Sequence, residues 1–524
     1  MGGPLRSPAG RREREVALSA AGAALLLGSV APLASLLVQE GSAWRGALDV
    51  LTDASIFALL VRSLALSALV TALALSLGVP LGVLVARTDV AAPWPAALLH
   101  AFPMFLPPFL LALGWFHLFG AKGLLGSAAT SSVFFSAAGV VLILAVAFAP
   151  VVTALVALGL ESLDPSLEEA ARVAARPLRV VTLILLPAAA PAWLLSAIVV
   201  FTLAFSELAV PMFLRVDVFP AAVFSRLGGL DYAPGEALGL VLPLLGLALL
   251  LLAVERRLAG ARSYAVLGLR SGRLERLPLG RWRGAATLAV WAAAFLSVAP
   301  LVALAWRAAS GGGFSQAGGW LGGAPWTSLS TAAIAATIIV AIGLVVGHSA
   351  ARRLGGGGTL DAVSVLAFVA PAAVLGVGLI ALWNRPGLRW VYGSAGILVV
   401  GYVARYAVIG VRTLGALIAQ TPLHLEEAAA AAGAGFWRRL TRVLLPLHAR
   451  GIGFAWLLAL VFCLRDLELA VLFYPPGRQP LTVRIFTLEA NGPEPVVAAL
   501  ALAHVAMTAV VLGAGGGLLW RRPA

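Results

Sequence analysis

Long apolar runs dominate the chain, and their lengths predict helices that cross a membrane. A helix needs about twenty apolar residues to span the hydrocarbon core of a bilayer. The runs are continuous rather than alternating, which favours helices over the strands of a barrel. They lie near residues 16–38, 57–86, 94–118, 134–159, 189–213 and 236–255, and then near 285–306, 327–351, 360–383, 394–418, 448–474 and 495–520. This pattern predicts an all-α polytopic membrane protein with about twelve transmembrane helices in two six-helix halves.

The first run follows a basic start, which is also typical of a cleaved signal peptide. The run at 16–38 is longer than the apolar core of such a peptide and long enough to span a membrane. We therefore expect a retained first helix.

Prolines lie inside several of the runs. In a membrane protein, neighbouring helices can satisfy the carbonyl groups that a proline leaves without a donor. We expect kinked helices that line a common space, at Pro103, Pro107, Pro108, Pro150 and Pro371.

Charge adds an orientation to this picture. The formal net charge of +14 would suggest nucleic acid in a soluble protein, but only 11% of the residues are charged and the mean hydropathy is +0.99. With the N-terminus placed in the cytoplasm, 24 basic residues fall on inner segments and nine on outer ones. The positive-inside rule then predicts a multi-pass protein of the bacterial inner membrane with both termini cytoplasmic, and no nucleic-acid partner.

One polar, alanine-rich phrase occurs twice. Residues 167–187 read LEEAARVAARPLRVVTLILLP, and residues 425–446 read LEEAAAAAGAGFWRRLTRVLLP. Farther along each half, SELAV at 206–210 matches LELAV at 467–471, which places Glu207 opposite Glu468. Ordered matches of this kind indicate a duplication, and such repeats usually enclose a central pathway. The predicted domains are 1–255 and 285–524, joined by a basic cytoplasmic linker at 256–284.

Both phrases follow the fourth span of their half, on the arginine-rich side. Each contains a short helix, a break, a basic stretch and Leu-Pro at the next span. In the second phrase Gly433 and Gly435 permit a sharp turn. The pattern predicts a compact knob that projects into the cytoplasm. An amphipathic helix lying on the membrane surface is the alternative, which the occurrence at two matching places disfavours.

The second phrase is similar to the signature of permease subunits of binding-protein-dependent ABC importers. That signature reads Glu-Ala-Ala, three residues, Gly, nine residues, Ile or Val, one residue and Leu-Pro, and residues 427–446 match it throughout. The first phrase departs from it, because Ala174 stands in place of the glycine and the distance from Glu169 to Pro187 is one residue shorter. Both halves carry the phrase, so the resemblance covers essentially the whole chain and implies the type I importer permease fold.

The resemblance implies partners and a division of labour. Two copies of a cytoplasmic ABC ATPase would each receive one knob, and an external binding protein would deliver the substrate. The chain would bind no cofactor or metal, and the ATPase would bind ATP and magnesium. Consistent with a transport subunit that is not an enzyme, the only lysine, Lys122, lies outside any Walker A sequence.

The residues that the resemblance assigns to ATPase coupling come from both knobs. We expect the glutamates among them to cap helices or to pair with arginines of the partner. The set is Glu168, Glu169, Ala170, Ala171, Ala174 and Pro187 in the first half, and Glu426, Glu427, Ala428, Ala429, Gly433 and Pro446 in the second.

Ionisable residues inside the spans form a second candidate site. Charged side chains are costly in a membrane and are usually functional or paired there. One interpretation is a polar lining for a transient cation-conducting pathway. The other is structural, with Arg465 or Arg405 paired to an acidic residue and joining the two halves. The candidates are Glu207, Arg405, Arg465, Asp466 and Glu468.

The substrate is suggested by resemblance alone. Residues 462–502 look like the corresponding region of fused two-domain ferric-iron importer permeases, and thiamine and phosphonate permeases share much of this layout. Ferric iron is the first choice, although selectivity in such systems resides mainly in the external binding protein.

Two other classes of protein remain as alternatives. A secondary transporter with two six-helix repeats would couple uptake to an ion gradient and need no ATPase. A membrane-embedded enzyme would need a cluster of acidic, histidine or cysteine residues, and the sequence shows none. The single cysteine, Cys463, lies in an apolar run and is interpreted as a core residue.

Overall fold

The computed structural model describes most of the chain, and the described part is helical almost throughout. Within it, the one isolated pairing of extended backbone is a parallel bridge between Thr88 and Leu277. The prediction of an all-α polytopic membrane protein is confirmed. The described residues are 8–37, 41–163, 165–174, 177–228, 234–261 and 276–520.

The first half contains long helices linked by short ones. A 3₁₀ turn occupies Phe102–Phe105, and π-helical turns occupy Leu26–Val30 and Val181–Leu185. The α-helices are α1 (Pro8–Leu25), α2 (Ala31–Leu37), α3 (Gly41–Thr52), α4 (Ala54–Arg87), α5 (Pro93–Ala101), α6 (Pro108–Phe119), α7 (Ala128–Phe134), α8 (Ala137–Glu161), α9 (Pro165–Ala174), α10 (Pro177–Val180), α11 (Leu186–Ala188), α12 (Ala190–Ser206), α13 (Ala209–Phe213), α14 (Phe219–Gly228) and α15 (Pro234–Ala261).

The second half repeats this order from its first long helix onward. A 3₁₀ turn occupies Gly280–Trp282, and a π-helical turn occupies Leu440–Leu444. The α-helices are α16 (Arg283–Ser310), α17 (Gly313–Leu321), α18 (Ala324–Ala351), α19 (Gly357–Val369), α20 (Ala372–Trp383), α21 (Arg389–Tyr392), α22 (Gly396–Ala419), α23 (Leu423–Ala431), α24 (Phe436–Arg439), α25 (Leu445–Leu447), α26 (Ala449–Arg465), α27 (Ala470–Phe473), α28 (Leu481–Glu489) and α29 (Glu494–Trp520).

Among the described residues, 8 helices are long and apolar enough to cross a membrane, or up to 12 if each of four bent pairs is one span. Two of the bent pairs cover the predicted spans at 94–118 and 360–383, so neither span is one continuous helix. The chain turns by 107° between Phe105 and Pro108 and by 107° between Val369 and Ala372. Prolines at these points cannot donate a hydrogen bond to the preceding turn, so the helix breaks instead of kinking.

The predicted spans at 189–213 and 448–474 are also interrupted. Each begins with a bend next to a Leu-Pro pair, of 64° before Ala190 and 87° before Ala449. Each main helix then ends in extended backbone, at Glu207 in the first half and at Asp466 in the second. A short helix follows in both halves, so one continuous helix in each of these ranges is wrong.

Glycines bring two long helices together in each half. A Cβ atom on Gly78 of α4 would lie 2.5 Å from the Val152 Cβ of α8. In the second half, a Cβ on Gly343 of α18 would lie 2.5 Å from the backbone of Gly410 in α22. Backbones approach this closely only where side chains are small. The same helix pair therefore forms the centre of both halves.

Two further glycines lie where the halves meet. A Cβ on Gly114 of α6 would lie 2.3 Å from the carbonyl oxygen of Pro300 in α16. A Cβ on Gly378 of α20 would lie 2.7 Å from the carbonyl oxygen of Pro32 in α2. The first long segment of each half therefore packs against the other half, and the two bundles interlock.

The predicted linker is partly helical. The last helix of the first half, α15, continues to Ala261, and α16 begins at Arg283, while residues 262–275 of the predicted linker lie outside the described residues. The end of the linker binds the loop after α4. The amide of Leu277 donates to the carbonyl of Arg87 at 2.8 Å, and the amide of Leu279 donates to the Asp89 carboxylate at 3.0 Å. The boundaries 1–255 and 285–524 stay a prediction.

Candidate coupling loops and central polar cluster

The two repeated phrases form helical loops at one face of the molecule. We call residues 161–187 the first knob and residues 420–446 the second knob. The ends of α4 and α8 lie beside the first knob, and the ends of α18 and α22 lie beside the second. The start of the chain reaches the same face, where the amide of Trp437 donates to the Glu13 carboxylate at 3.3 Å.

The second knob turns sharply at a glycine. Gly433 has a φ of +82°, a left-handed conformation that glycine adopts without steric cost. Its amide donates to the carbonyl of Ala430 at 3.0 Å, and the amide of Ala434 donates to the carbonyl of Ala429 at 3.0 Å. These two bonds define a Schellman motif, which ends α23 and satisfies its last carbonyls. The corresponding turn of the first knob, after Ala174, falls at residues 175–176, outside the described residues.

Both knobs return to the membrane through the same irregular path. A π-helical turn, Val181–Leu185 or Leu440–Leu444, comes directly before the Leu-Pro pair. The prolines that end the phrases, Pro187 and Pro446, are exposed, and the bends that open α12 and α26 follow them. π-helical turns occur frequently at functional sites. Here each π-helical turn comes directly before the bend that separates the knob from the helix that follows it.

In the first knob, one glutamate is buried against the bundle. Only 1% of the Glu168 side chain is exposed, and its carboxylate oxygens lie 3.3 Å from Nη1 of Arg87 and 2.6 Å from Nη2 of Arg172. Arg87 also donates to the carbonyl of Leu160, at the end of α8. The last residue of α4 therefore ties the knob to two long helices.

The second knob has the same anchor with different partners. The Glu426 carboxylate lies 2.8 Å from Nε2 of His348 and 2.7 Å from Nη2 of Arg352, and Arg352 donates to the carbonyl of Thr421 at 3.1 Å. Burial alone would raise the pKa of Glu426. The hydrogen bonds and charges of His348 and Arg352 outweigh that effect and lower the pKa, so the carboxylate is ionised at neutral pH.

Arginines of the same chain hold the buried carboxylates of Glu168 and Glu426. Burial of an acidic side chain requires such a partner, and only the folded structure shows which arginine supplies it. Pairing of the glutamates of the phrase with arginines of a partner stays a prediction.

The following residues of each phrase point outward. Glu169 and Ala170 are exposed in the first knob, and Ala428 is exposed in the second. Glu427 and Ala429 are half-buried. The side chains of Ala171 and Ala174 lie outside the described part. In each knob the buried glutamate is followed by a more exposed glutamate and by alanines. These residues form a surface of small side chains next to the anchor.

Sequence reasoning missed the residues that hold the knobs. Arg87, His348 and Arg352 lie at the end of the second long helix of their half, far along the chain from the repeated phrase. The arginines were interpreted only as topology signals. Their occurrence at the same position in both repeats was the signal that could have identified them.

The five intramembrane charges meet in one place, where α12 and α26 end. Glu207 Oε1 accepts from the amides of Ala209 and Val210, each at 3.1 Å. Asp466 Oδ1 accepts in the same way from the amides of Leu469 and Ala470, at 3.0 and 3.2 Å. Both carboxylates therefore cap the short helix that follows.

By this shared role Glu207 resembles Asp466, since each is the first residue after its main helix. By its distance from the short helix that follows, Glu207 matches Glu468, since each lies two residues before the first helical residue. The predicted match of Glu207 to Glu468 therefore stays a prediction.

Arg405 makes the main ion pair of the cluster. Its Nη2 lies 2.7 Å from Oε2 of Glu468, and its Nε lies 3.9 Å from Oδ2 of Asp466. The Tyr406 hydroxyl, which sequence reasoning missed, donates to Asp466 Oδ2 at 2.6 Å. All four residues belong to the second half, so the expectation that this ion pair joins the halves is wrong.

Other contacts of the cluster do join the halves. Glu207 of the first half and Glu468 of the second half line the same small cavity. Arg465 donates to the carbonyl of Met104, in the 3₁₀ turn before the break at Pro107. A cavity of only about 20 Å³ remains among these groups. The cluster therefore closes the centre of the molecule at the broken helices.

The fold and the two anchored loops define a class of protein. A duplicated bundle of membrane-spanning helices, with a helical loop held at one face of each half, is the architecture of a polytopic transport subunit. Residues 78–259 match the family model of the binding-protein-dependent transport system inner membrane component. The predicted resemblance to permease subunits of binding-protein-dependent ABC importers is confirmed, as is a multi-pass membrane protein.

Three curated relatives extend this similarity. A protein of Haemophilus influenzae, provisionally named ferric transport system permease protein FbpB 1, is 25% identical over 76% of this chain and 67% of its own length. The ferric transport system permease protein FbpB of Actinobacillus pleuropneumoniae is 26% identical over 62% of this chain and 51% of its own. A Salmonella typhimurium protein, provisionally named 2-aminoethylphosphonate transport system permease protein PhnV, is 27% identical over 29% of this chain and 57% of its own. The chain thus spans half to two thirds of the length of these relatives.

Proposed function

We propose that this chain is the permease subunit of an ABC importer for ferric iron, in which both halves together form the translocation pathway. The pair of anchored knobs at matching places carries the importer part of the proposal. The substrate is supported by two relatives named for ferric transport, which align with 76% and 62% of the chain. Thiamine and phosphonate remain alternative substrates, and the phosphonate relative aligns with only 29% of it.

The anchors supply a mechanism for coupling. Each inward glutamate is bound to the arginine at the end of a long core helix, so a displacement of the knob also moves that helix. Closure of ATP-binding subunits against the knobs would thereby rock the two bundles as rigid bodies. In this proposal ATP and magnesium bind to the separate ATPase, and the permease contributes contact surface and lever.

The proposal also specifies partners and orientation. Two copies of the ATPase bind, one to each knob, through the exposed parts of the phrases. An external binding protein delivers the substrate to the opposite face. Both termini are cytoplasmic, which the contact between Glu13 and the second knob supports for the N-terminus, because it places the start of the chain on the knob face.

Reconstitution tests this function. The chain is co-expressed with an ATP-binding subunit and a ferric-binding protein encoded beside it, and the purified complex is placed in proteoliposomes. We expect two ATPase copies per permease by native mass spectrometry, and Fe³⁺ uptake that needs both ATP on the knob side and the loaded binding protein. A variant carrying Gly433→Pro, which cannot adopt the φ of +82°, should insert normally and lose uptake.

Specific outcomes would contradict the proposal. Uptake driven by a proton or sodium gradient without ATP would indicate a secondary transporter. ATP-driven uptake of thiamine or 2-aminoethylphosphonate, with no Fe³⁺ uptake, would leave the importer class intact and show that the substrate is wrong.

A further inference from the structure

The second half contributes charges that the first half lacks. The carbonyls of Leu160 and Thr421 accept hydrogen bonds from Arg87 and Arg352 and so occupy the same place in the two halves. Counting back from them along α8 and α22, Leu144 takes the place of Arg405. At the last residue of α12 and α26, Ser206 likewise takes the place of Arg465. The chemistry of the cluster is therefore concentrated in one repeat.

Glu468 differs from the other acidic residues of the cluster. Glu207 and Asp466 both cap short helices, which explains their presence in each half. Glu468 lies between α26 and α27, where four residues stand in place of the two between α12 and α13, and its Oε2 lies 2.7 Å from Arg405 Nη2. It lines the same cavity as Glu207 of the first half.

Arg405 is incompletely paired in this conformation. Its side chain is 3% exposed, and its Nε and Nη1 atoms are buried without a hydrogen-bond partner. It also lines the central cavity, together with Glu207, Glu468 and Arg465. Buried donors without a partner are unfavourable, so Arg405 is suited to bind a further partner in another conformation.

We propose that Glu207 and Glu468, one from each half, contact a hard trivalent cation as it crosses the narrowest part of the pathway, and that Arg405 supplies the positive charge there while the pathway is closed. This inference rests on the proposed function. Carboxylate oxygens are suitable ligands for hard cations.

The geometry indicates a transient contact and not a storage site. Among the described residues, no three histidine, cysteine or carboxylate side chains are grouped so that they could hold a metal ion. Conduction also requires binding weak enough for release. When the halves separate, the carboxyl groups of Glu207 and Glu468 both face the opening. The cation then competes with Arg405 for Glu468, and Arg405 returns after release.

The test measures Fe³⁺ uptake and ATP hydrolysis together in proteoliposomes containing the complete complex. Glu468→Gln keeps the size and hydrogen-bonding capacity of the side chain and removes its charge, whereas Glu468→Asp keeps the charge. We expect uptake per ATP hydrolysed to fall about tenfold or more in Glu468→Gln and clearly less in Glu468→Asp. Glu207→Gln should resemble Glu468→Gln, because its amide oxygen can still cap the short helix.

The control is Glu494→Gln. Glu494 is exposed and pairs with Arg307 at 2.6 Å, away from the cluster, so its replacement should change neither quantity. If Glu468→Gln fails to assemble with the ATPase, Glu207→Gln decides the result in the same assay.

Three outcomes overturn the inference. Uptake per ATP hydrolysed that stays within about twofold of wild type in both glutamine variants shows that the cation does not need these carboxylates. If uptake and ATP hydrolysis fall in parallel in all three variants, the carboxyl groups hold the closed conformation and do not contact the cation. Wild-type complex without ATP-driven Fe³⁺ uptake, or with uptake of another substrate in its place, contradicts the ferric function itself, and that result is visible before any variant is examined.

Discussion

The two halves of this chain anchor their knobs in the same way, but they contribute different charged residues to the centre where they meet. Both bury the first glutamate of the repeated phrase against an arginine at the end of a long helix. Both pass through a π-helical turn before Leu-Pro. At the centre, by contrast, the second half supplies Arg405, Arg465 and Glu468 against a single acidic residue from the first. The repeated phrase is anchored in the same way in both halves, whereas most of the central charged residues belong to the second half.

The knobs and the centre of the molecule are therefore under different structural requirements. In the proposed function each knob must fit a partner surface, so two equivalent knobs need equivalent anchors. The proposed pathway lies between the halves, where one half can supply most of the polar groups. How far the two knobs are equivalent can be tested by substitution.

The largest effect is expected from the anchors. Arg352→Ala and Arg87→Ala each remove an arginine that pairs with a buried glutamate, and breaking such a pair costs up to about 3–5 kcal/mol. We expect both variants to lose uptake and to lower the melting temperature of the purified permease. The neighbouring Arg353→Ala removes an exposed arginine and should have little effect. Loss in only one of the two anchor variants would show that the levers are not equivalent.

Interlocking of the halves gives the next effect. Gly114→Ala and Gly378→Ala would place a Cβ 2.3 and 2.7 Å from carbonyl oxygens of the other half. Overpacking of this kind costs about 1–3 kcal/mol. Both variants should melt at lower temperature, whereas Gly246→Ala in α15, which has nothing within 4 Å, should not. Unchanged melting of both variants would contradict the close packing at this interface.

The sharp turn of the second knob gives a smaller effect. A Cβ at Gly433 meets no atom within 4 Å, so Gly433→Ala acts through backbone conformation alone. A left-handed conformation costs a residue with a Cβ about 1–2 kcal/mol. We expect reduced ATPase affinity by co-purification and reduced uptake, with Gly513→Ala as a matched control that also meets no neighbour. Normal affinity would mean that the motif glycine is not needed for the shape of the knob.

The smallest effect tests a contact between the start of the chain and the second knob. Glu13 accepts from the amide of Trp437, and a Cβ on Gly435 would lie 2.7 Å from the same carboxylate. Glu13→Gln should increase limited proteolysis of the second knob about twofold, because one partly exposed hydrogen bond is worth roughly 0.5–1.5 kcal/mol. Glu15→Gln, which removes an exposed pair with Arg11, is the control. Equal cleavage in both variants would remove this difference between the halves.

Sequence reasoning succeeded where the signal is local and failed where it depends on distant contacts. The ends of α4, α8, α18 and α22 agree closely with the apolar runs. The prolines at 107 and 371 were recognised as irregular, yet the bend of 107° in each pair was not. A kink and a break have the same sequence signature, and only the surrounding helices decide between them.

The candidate sites also combine features that the local sequence predicts with features that depend on distant contacts. The repeated phrase was recognisable because its spacing is conserved within one chain. The sequence alone did not show which of the two adjacent glutamates is buried. The buried one pairs with an arginine that lies 74 or 81 positions earlier in the chain. The capping role that Glu207 shares with Asp466 is likewise visible only in the hydrogen bonds of the folded chain.

Taken by itself, the sequence determined the membrane-spanning helices, their duplication, the two loops and the presence of costly charges, because hydrophobic length and repeat spacing are properties of the chain alone. The tertiary structure decided the pairing of those charges, the anchors of the knobs and the interlocking of the halves. Burial of a charge or close approach of two backbones depends on groups that the chain brings together only when it folds.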